Sequence, residues 1–314
     1  MYIVIVLLAV VTGGAGYIGG HLVDYLLEKG YKVEVYDNFS SGNYKSEKAK
    51  YHIVDLSKDK FDFPKGSMVF HLAANPDVRS SMLDIKGHYE NDVTATLNVL
   101  EAARKSDAEH VIFSSSSTVY GEAEMIPTPE SAPLRPISYY GLFKMFGESL
   151  VEFYSRNYST KGTSLRLANV IGGRTSHGII VDMINKLKNK KDELEILGNG
   201  KQKKSYLYID DLLHAFDLII EKQKEKYSVF NVGNEDWITV DEIIKIIEDK
   251  LGLHPKHIYV DKGDGRGWSG DVRLMLLDIR KIKSLGWKPM LSSKETVNQA
   301  VKDIIDIITN KNVT

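Results

Sequence analysis

Cysteine is absent from the 314-residue chain, which excludes disulfides and thiolate metal sites and removes any need for an oxidising compartment; cytoplasm is the expected location. Net charge is nearly absent as well. Lys+Arg 41 against Asp+Glu 42 leaves −1, and without an overall positive field nucleic acid is not an expected partner. Long apolar runs are also missing: the stretch Tyr2 to Val11 falls short of the ~20 residues a bilayer span needs, lacks a basic start and runs into glycines rather than a cleavage site. It reads as a buried strand, so no membrane association is expected. Internal repeats and low-complexity linkers are lacking too, which makes interleaved lobes the expectation rather than two bodies on a tether. Glycosylation-type triplets at Asn38, Asn157 and Asn312 carry no consequence without a secretion signal.

What is present, 43% hydrophobic and 26% charged residues, suffices for a full core in two lobes or one large α/β unit. Short β-branched runs at Ile3–Val11, Lys32–Tyr36, Tyr51–Val54, Met68–Leu72, His110–Ser114 and Thr163–Ala168 alternate with helical patterns at Gly19–Lys29, His88–Ser106 and Tyr139–Tyr158. Apolar strands separated by helices imply a parallel sheet covered on both faces, an α/β, doubly wound, Rossmann-type fold. Beyond Asn169 the regularity fades into a helix near Ile179–Lys188, a polar stretch Gly198–Lys204, strand and helix over Ser205–Glu221 and a strand at Phe230–Val232. Helices at Val240–Leu251, Ile279–Leu285 and Ser293–Ile308 follow. The expected domains are residues 1–169 plus about 205–232 for the cofactor, and 170–204 with 233–314 as a smaller substrate-binding C-terminal lobe over the sheet's carboxyl edge.

Thr12-Gly13-Gly14-Ala15-Gly16-Tyr17-Ile18-Gly19 follows the first strand and opens the first helix. Glycine there lets the backbone approach a pyrophosphate, while the helix start offers N–H groups and a positive dipole end. The second strand leads into Asp37, eighteen positions after Gly19, where a carboxylate can accept both hydroxyls of an adenosine ribose and would repel a 2′-phosphate. NAD is therefore favoured over NADP.

Tyr140 and Lys144 are four apart in a helical pattern, so both fall on one face. Phenol at its ordinary pKa of about 10 is a poor base, and a neighbouring ammonium with a positive nicotinamide ring would favour the phenolate. The spacing alone is common by chance. It gains weight because the strand His110–Ser114 runs into Ser115-Ser116-Ser117-Thr118, placing hydroxyls where ligands bind in such sheets. Those serines could equally satisfy backbone groups in a turn. His71, His88 and His110 show no ligand spacing, and no metal is expected.

With these residues in view, the sequence resembles the UDP-galactose 4-epimerases and their archaeal and bacterial relatives among the extended short-chain dehydrogenases. The likeness runs through TGGAGYIGGHL at 12–22, YDNFSSG at 36–42, VDL at 54–56, HLAAN at 71–75, NDVTATLNVLEA at 91–102, SSSSTVYGE at 114–122, SYYGLFK at 138–144 and LRLANVIG at 165–172. The resemblance implies that Tyr17, Ile18, Asn38, Ser40, Gly42, Asp55, Leu56, Leu72, Ala73, Ala74 and Asn91 join Gly13, Gly16, Gly19 and Asp37 around NAD. It implies that Ser114 and Ser115 approach the nicotinamide, that Ser116 assists Tyr140, and that Tyr140 and Lys144 both meet the cofactor, Lys144 at the nicotinamide ribose. Ser116, Ser117 and Tyr140 would meet the sugar and Asn169 the UDP diphosphate. GNGKQKKSYLYIDDL at 198–212 and GRGWSGD at 265–271 resemble the segments that close over UDP, with Arg266 a diphosphate partner. A homodimer through the helices at 91–106 and 139–158 is implied as well.

Departures from the family sharpen the expectation. Lys204 stands where many relatives carry arginine, and a lysine lacks the bidentate fork. Ser117 and Thr118 replace the acidic pair of related dehydratases, which disfavours dehydration. Met275 falls where some epimerases carry a bulky tyrosine, and flexible methionine could admit an N-acetyl group. The expected activity is NAD-dependent C4 epimerisation of a UDP-glucose or UDP-galactose through a 4-keto sugar. The alternatives are the N-acetylglucosamine counterpart, another nucleotide-sugar decarboxylase or reductase, and a non-catalytic NAD sensor.

Overall fold

The computed structural model describes residues 7–175 and 177–310. Residues 3–6 of the expected first strand and the triplet at Asn312 lie outside them. The described residues form two compact units. The first comprises those within 7–119, 139–166 and 219–230, the second those within 120–138, 167–218 and 231–310.

The first unit begins with β1 (Leu8–Thr12), α1 (Tyr17–Glu28), β2 (Lys32–Asp37), β3 (Lys50–Ile53) and β4 (Met68–His71). After a 3₁₀ turn at Ser80–Met82 come α2 (Ile85–Tyr89), a π-helical turn (Glu90–Thr94), α3 (Ala95–Lys105) and β5 (His110–Ser116). The long helix α4 (Tyr139–Asn157) and β6 (Lys161–Leu167) follow. Strands β1, β2, β4 and β5 are almost wholly buried because parallel strands are covered on both faces.

They belong to a seven-stranded sheet in which β3, β2, β1, β4 and β5 lie side by side and pair in parallel. β6 and a late strand, β11, complete the other edge. The order reverses direction at β1 and β4, the place where doubly wound sheets bind ligands at their carboxyl ends. Register brings those ends level: Thr12 pairs with Tyr36 and with His71, and His71 with Phe113. The Rossmann-type fold expected from the strand and helix alternation is the fold observed.

One expected element is divided. The pattern from His88 to Ser106 predicts a single helix, yet the chain forms α2, a wider π turn and α3. At the junction the Thr96 hydroxyl donates to the Asp92 carbonyl at 2.5 Å, and the Asp92 carboxylate accepts from the Asn75 N–H at 2.9 Å. Asn75 at Asp92 and His71 at Thr96 are tertiary anchors that hold the turn where periodicity shows no break.

The second unit contains β7 (Asn169–Ile171), α5 (Ile179–Asn189), β8 (Glu193–Leu197), β9 (Lys203–Lys204), β10 (Tyr206–Tyr208) and α6 (Ile209–Lys222), whose last turn falls in the first unit. After β11 (Tyr227–Val232) come β12 (Ile238–Thr239), α7 (Val240–Leu251), β13 (Lys256–Val260), β14 (Leu274–Met275), α8 (Arg280–Lys283) and α9 (Ser293–Asn310). Its core is aliphatic: Ile180, Ile184 and Leu187 of α5 meet Ile243 and Ile247 of α7 and Val297 and Val301 of α9. Thr239 and Glu242 form a reciprocal capping box that starts α7. Strands β8 and β13, which pair in parallel, were not foreseen; only alternate β8 residues are buried. The helix expected at Ile279–Leu285 shrinks to Arg280–Lys283 because the chain turns at Gly286, whose φ of 97° is left-handed.

Candidate active site

The glycine-rich turn joins β1 to α1, and two of its glycines are sterically required. A Cβ on Gly13 would lie 2.6 Å from the Ala73 nitrogen, and one on Gly19 would lie 2.1 Å from the Gly13 oxygen. At Gly16, by contrast, a Cβ would meet only the Gly13 oxygen at 3.3 Å, so space opens beside that residue. Gly16 is the N-cap of α1, no side chain caps the helix start, and no acidic residue occupies its first turn, which includes Tyr17, Ile18 and Gly19. An open, positively polarised helix end beside a close-packed turn suits a pyrophosphate.

Asp37 ends β2 with its carboxylate fixed by two backbone donors, Ala15 at 2.9 Å and Phe39 at 2.7 Å. A carboxylate has about four lone-pair sites, so two remain for a pair of ribose hydroxyls. Phe39 takes a left-handed φ of 59° to make its contact. Asn38 caps Ser40 at 3.0 Å, and Gly42 touches the turn closely enough that a Cβ would meet the Ala15 oxygen at 2.1 Å.

Across the sheet, the Leu72 N–H donates to the Thr12 carbonyl at 3.2 Å, and Ala73 with neighbouring Ala74 continues past Gly13. Leu56 is buried and its carbonyl accepts from Asn98. The Asp55 carboxylate turns to the Ser57 hydroxyl, the Ser57 N–H and Lys58, bonds that lower its pKa. Asn91, in the π turn, donates its amide to the Gly87 carbonyl at 2.8 Å. Both side chains thus engage their own local chain in this structure.

The expected catalytic side chains come together at the carboxyl end of β5. Tyr140 and Lys144 share one face of α4, and the Tyr140 hydroxyl is hydrogen-bonded to Ser116. Lys144 is buried, donates to the Ser114 carbonyl at 2.7 Å, and lies 5.7 Å from the centroid of the Tyr140 ring. Ser114 donates to the His71 carbonyl at 3.3 Å, Ser115 donates to Glu148, and Ser116 Oγ accepts from the Thr118 hydroxyl at 2.9 Å. Ser117 opens a short 3₁₀ turn.

Burial pushes the Tyr140 phenol well above its ordinary pKa, Asp92 adds to the rise, and the Ser116 hydrogen bond opposes it. Burial pulls Lys144 down to about 8, against the pull of Asp92 and Glu148. In the protein alone burial opposes the phenolate, and the expected phenolate draws on the ammonium together with a positive nicotinamide ring.

In the second unit, four expected substrate residues lie on neighbouring segments. Asn169 of β7 pairs with Tyr206 of β10 and donates to the Ser205 carbonyl at 3.3 Å. Lys204 of β9 is in register with Met275 of β14. The Lys204 ammonium meets the Asp271 carboxylate at 2.6 Å, and Arg266 donates to the Asp271 carbonyl at 2.8 Å. Arg266 is also paired with Glu122 at 3.0 Å. Met275 is buried.

Several partners escaped the sequence reading. Glu148, one turn beyond Lys144, is clamped by Arg166 at 2.7 Å, with both side chains buried. His71 bridges the Thr12 and Thr96 hydroxyls at 2.8 and 2.9 Å. Asp92 and His88 are buried together, 3.4 Å apart. His88 and Asp92 are four apart on one helical run, a spacing too common to single out, while Arg166 and His71 reach their partners from strands distant in sequence.

A doubly wound sheet with a glycine turn, a strand-end aspartate and a serine–tyrosine–lysine group defines a dinucleotide-dependent enzyme of the short-chain dehydrogenase class. Comparison narrows this: residues 9–233 match the NAD dependent epimerase/dehydratase family, to which the chain belongs, and NAD is its cofactor. A Methanocaldococcus jannaschii protein provisionally named UDP-glucose 4-epimerase is 34% identical, over 93% of this chain and 96% of its own. A crystal structure of UDP-galactose 4-epimerase is 41% identical, with a TM-score of 0.88 over 96% of this chain and all of that one, 100%. A UDP-N-acetylglucosamine 4-epimerase from Methanobrevibacter ruminantium is 29% identical, with a TM-score of 0.84 over 96% and 99% of the two chains.

Proposed function

We propose that the protein is an isomerase that inverts C4 of a UDP-linked hexose, glucose to galactose and back. The observation that carries this reading is the Ser116–Tyr140 hydrogen bond with Lys144 one turn away at the end of β5. Bound NAD supplies a reversible acceptor for the hydrogen of C4 with its electron pair. Tyr140 takes the proton of the C4 hydroxyl and returns it after the 4-keto sugar has presented its opposite face. Ser116 holds the reacting oxygen and the phenol in line. Lys144 lends positive charge when the phenol ionises and binds the nicotinamide ribose.

The first unit is read as the cofactor-binding domain, and Asp37 as the ribose ligand. In the second unit, Asn169, Lys204 and Arg266 are read as ligands of the UDP diphosphate, an anion that would draw the two cations from Asp271 and Glu122. Met275 bears on a second reading, UDP-N-acetylglucosamine as substrate. An unbranched thioether can repack around a larger C2 substituent, and a relative of that name shares the fold.

We infer a homodimer as well, because large apolar side chains stay exposed on the helical face of the first unit. Leu83 is 87% exposed, Phe153 57%, and Tyr89 47%. Ile85, Tyr89, Phe143 and Phe146 also line a groove of ≈ 640 Å³. Light scattering should return twice the 35.3 kDa chain mass, and a monomer would end the inference.

Incubation with UDP-galactose or UDP-N-acetylgalactosamine, followed through the sugar anomeric protons by NMR, tests the activity. The gluco isomer is expected, and the ratio of the two rates measures the tolerance at Met275. If neither sugar isomerises even with added NAD, the epimerase reading fails.

A further inference from the structure

Beside the Tyr140–Lys144 couple, the π turn Glu90–Thr94 buries a carboxylate that the proposed reaction does not use. Asp92 is 3% exposed. Its Oδ1 accepts from the Asn75 N–H at 2.9 Å, while Oδ2 has no hydrogen-bond partner and faces His88 Nδ1 at 3.4 Å. That nitrogen also lacks a partner, and the other ring nitrogen of His88 is 3.0 Å from the Ser80 hydroxyl. The π turn packs on both α2 and α4.

The groups that face this carboxylate are few. His88 of α2 stands against it at 3.4 Å, and the carboxylate's charge acts on Tyr140 and Lys144 of α4, the helix on which the π turn packs. Glu148 also acts on Lys144, but its charge is matched by the Arg166 guanidinium at 2.7 Å. Asp92 has no guanidinium or ammonium within ion-pair distance among the described residues. A burial this deep is costly for a carboxylate unless its charge acts on something.

We propose that Asp92 is a positioning residue for the Tyr140–Lys144 couple: its carboxylate, fixed by the Asn75 N–H and set against His88, supplies the negative charge that keeps the buried Lys144 side chain an ammonium. This rests on the reading of that couple as catalytic. The same charge disfavours the Tyr140 phenolate, so Asp92 moves both proton affinities upward. Its removal should move both downward, and a bell-shaped rate profile would slide toward acid on both limbs.

The direct test is a titration of Lys144 that needs no turnover. Holoenzyme carrying ε-¹³C lysine is titrated by NMR, with the Lys144 signal assigned by its loss in Lys144→Arg. In Asp92→Asn, which preserves shape but not charge, the Lys144 midpoint should fall by roughly half a unit or more. If that variant does not accumulate, Asp92→Ser, which keeps an acceptor for Asn75, should give the same fall. His88→Asn leaves the carboxylate in place, so its midpoint should stay or rise. An unchanged midpoint without the carboxylate overturns the proposal. So does an equal fall in His88→Asn, because any disturbance of the π turn would then suffice. A fall confined to the Asp92 variants in a protein that isomerises no UDP-sugar would uphold this inference while the substrate reading failed.

Discussion

The Lys144 Nζ lies 5.7 Å from the centroid of the Tyr140 ring and 2.7 Å from the Ser114 carbonyl. The lysine is thus held by β5, not by the phenol, while Ser116 from the same strand holds the Tyr140 hydroxyl. One strand end aligns both members of the couple, and their spacing on α4 does the rest.

Replacing Tyr140 by Phe removes the proton carrier and leaves the ring. Turnover of the accepted UDP-sugar should fall by roughly 10²-fold or more, as loss of a general acid–base group does. NAD binding and thermal midpoint should be little changed. A variant retaining near-wild-type rate would exclude Tyr140 as the base.

Asp37→Ala removes the acceptor for the ribose hydroxyls and frees the Ala15 and Phe39 N–H groups. A ligand at 100 times its Kd stabilises the folded state by about 2.7 kcal/mol, so NAD should raise the wild-type melting temperature. The variant should show most of that rise lost. An equal rise in both proteins means that the ribose is held elsewhere.

Glu148 and Arg166 form a buried pair at 2.7 Å that also receives the Ser115 hydroxyl. Breaking such a pair by removing one partner costs about 3–5 kcal/mol, since the other charge stays buried. Arg166→Met should lower the urea midpoint accordingly. A change within about 0.5 kcal/mol, as for an ordinary surface site, contradicts burial of the pair.

His71 and His110 are buried, and desolvation pulls both down to about 3 from 6.5. Between those values the unfolded chain binds protons that the folded chain refuses. The stability tied to these rings is therefore complete above pH 6.5 and declines as pH falls toward 3. Urea unfolding at pH 7.5 and pH 5 (about one unit above and 1.5 below the ordinary histidine value) should show that loss, and His110→Gln should show less of it. Equal losses would assign the acid sensitivity to other groups.

The sequence by itself determined the sheet and its glycine turn. β-Branched runs such as Leu8–Thr12 can only be buried strands, and Gly13 and Gly19 stand where any side chain would strike backbone. It also placed Tyr140 and Lys144 on one helical face, because helical spacing is a local property. Tertiary structure alone decided the rest. The π turn, which splits the expected helix at Glu90–Thr94, is held at Asp92 by Asn75 and beside it at Thr96 by His71, and partners distant in sequence leave no periodic trace. Strands β8 and β13 are short and, among the described residues, pair as a two-stranded sheet of their own. The shifts in proton affinity at Tyr140 and Lys144 likewise come from folding, since burial acts through space and not along the chain.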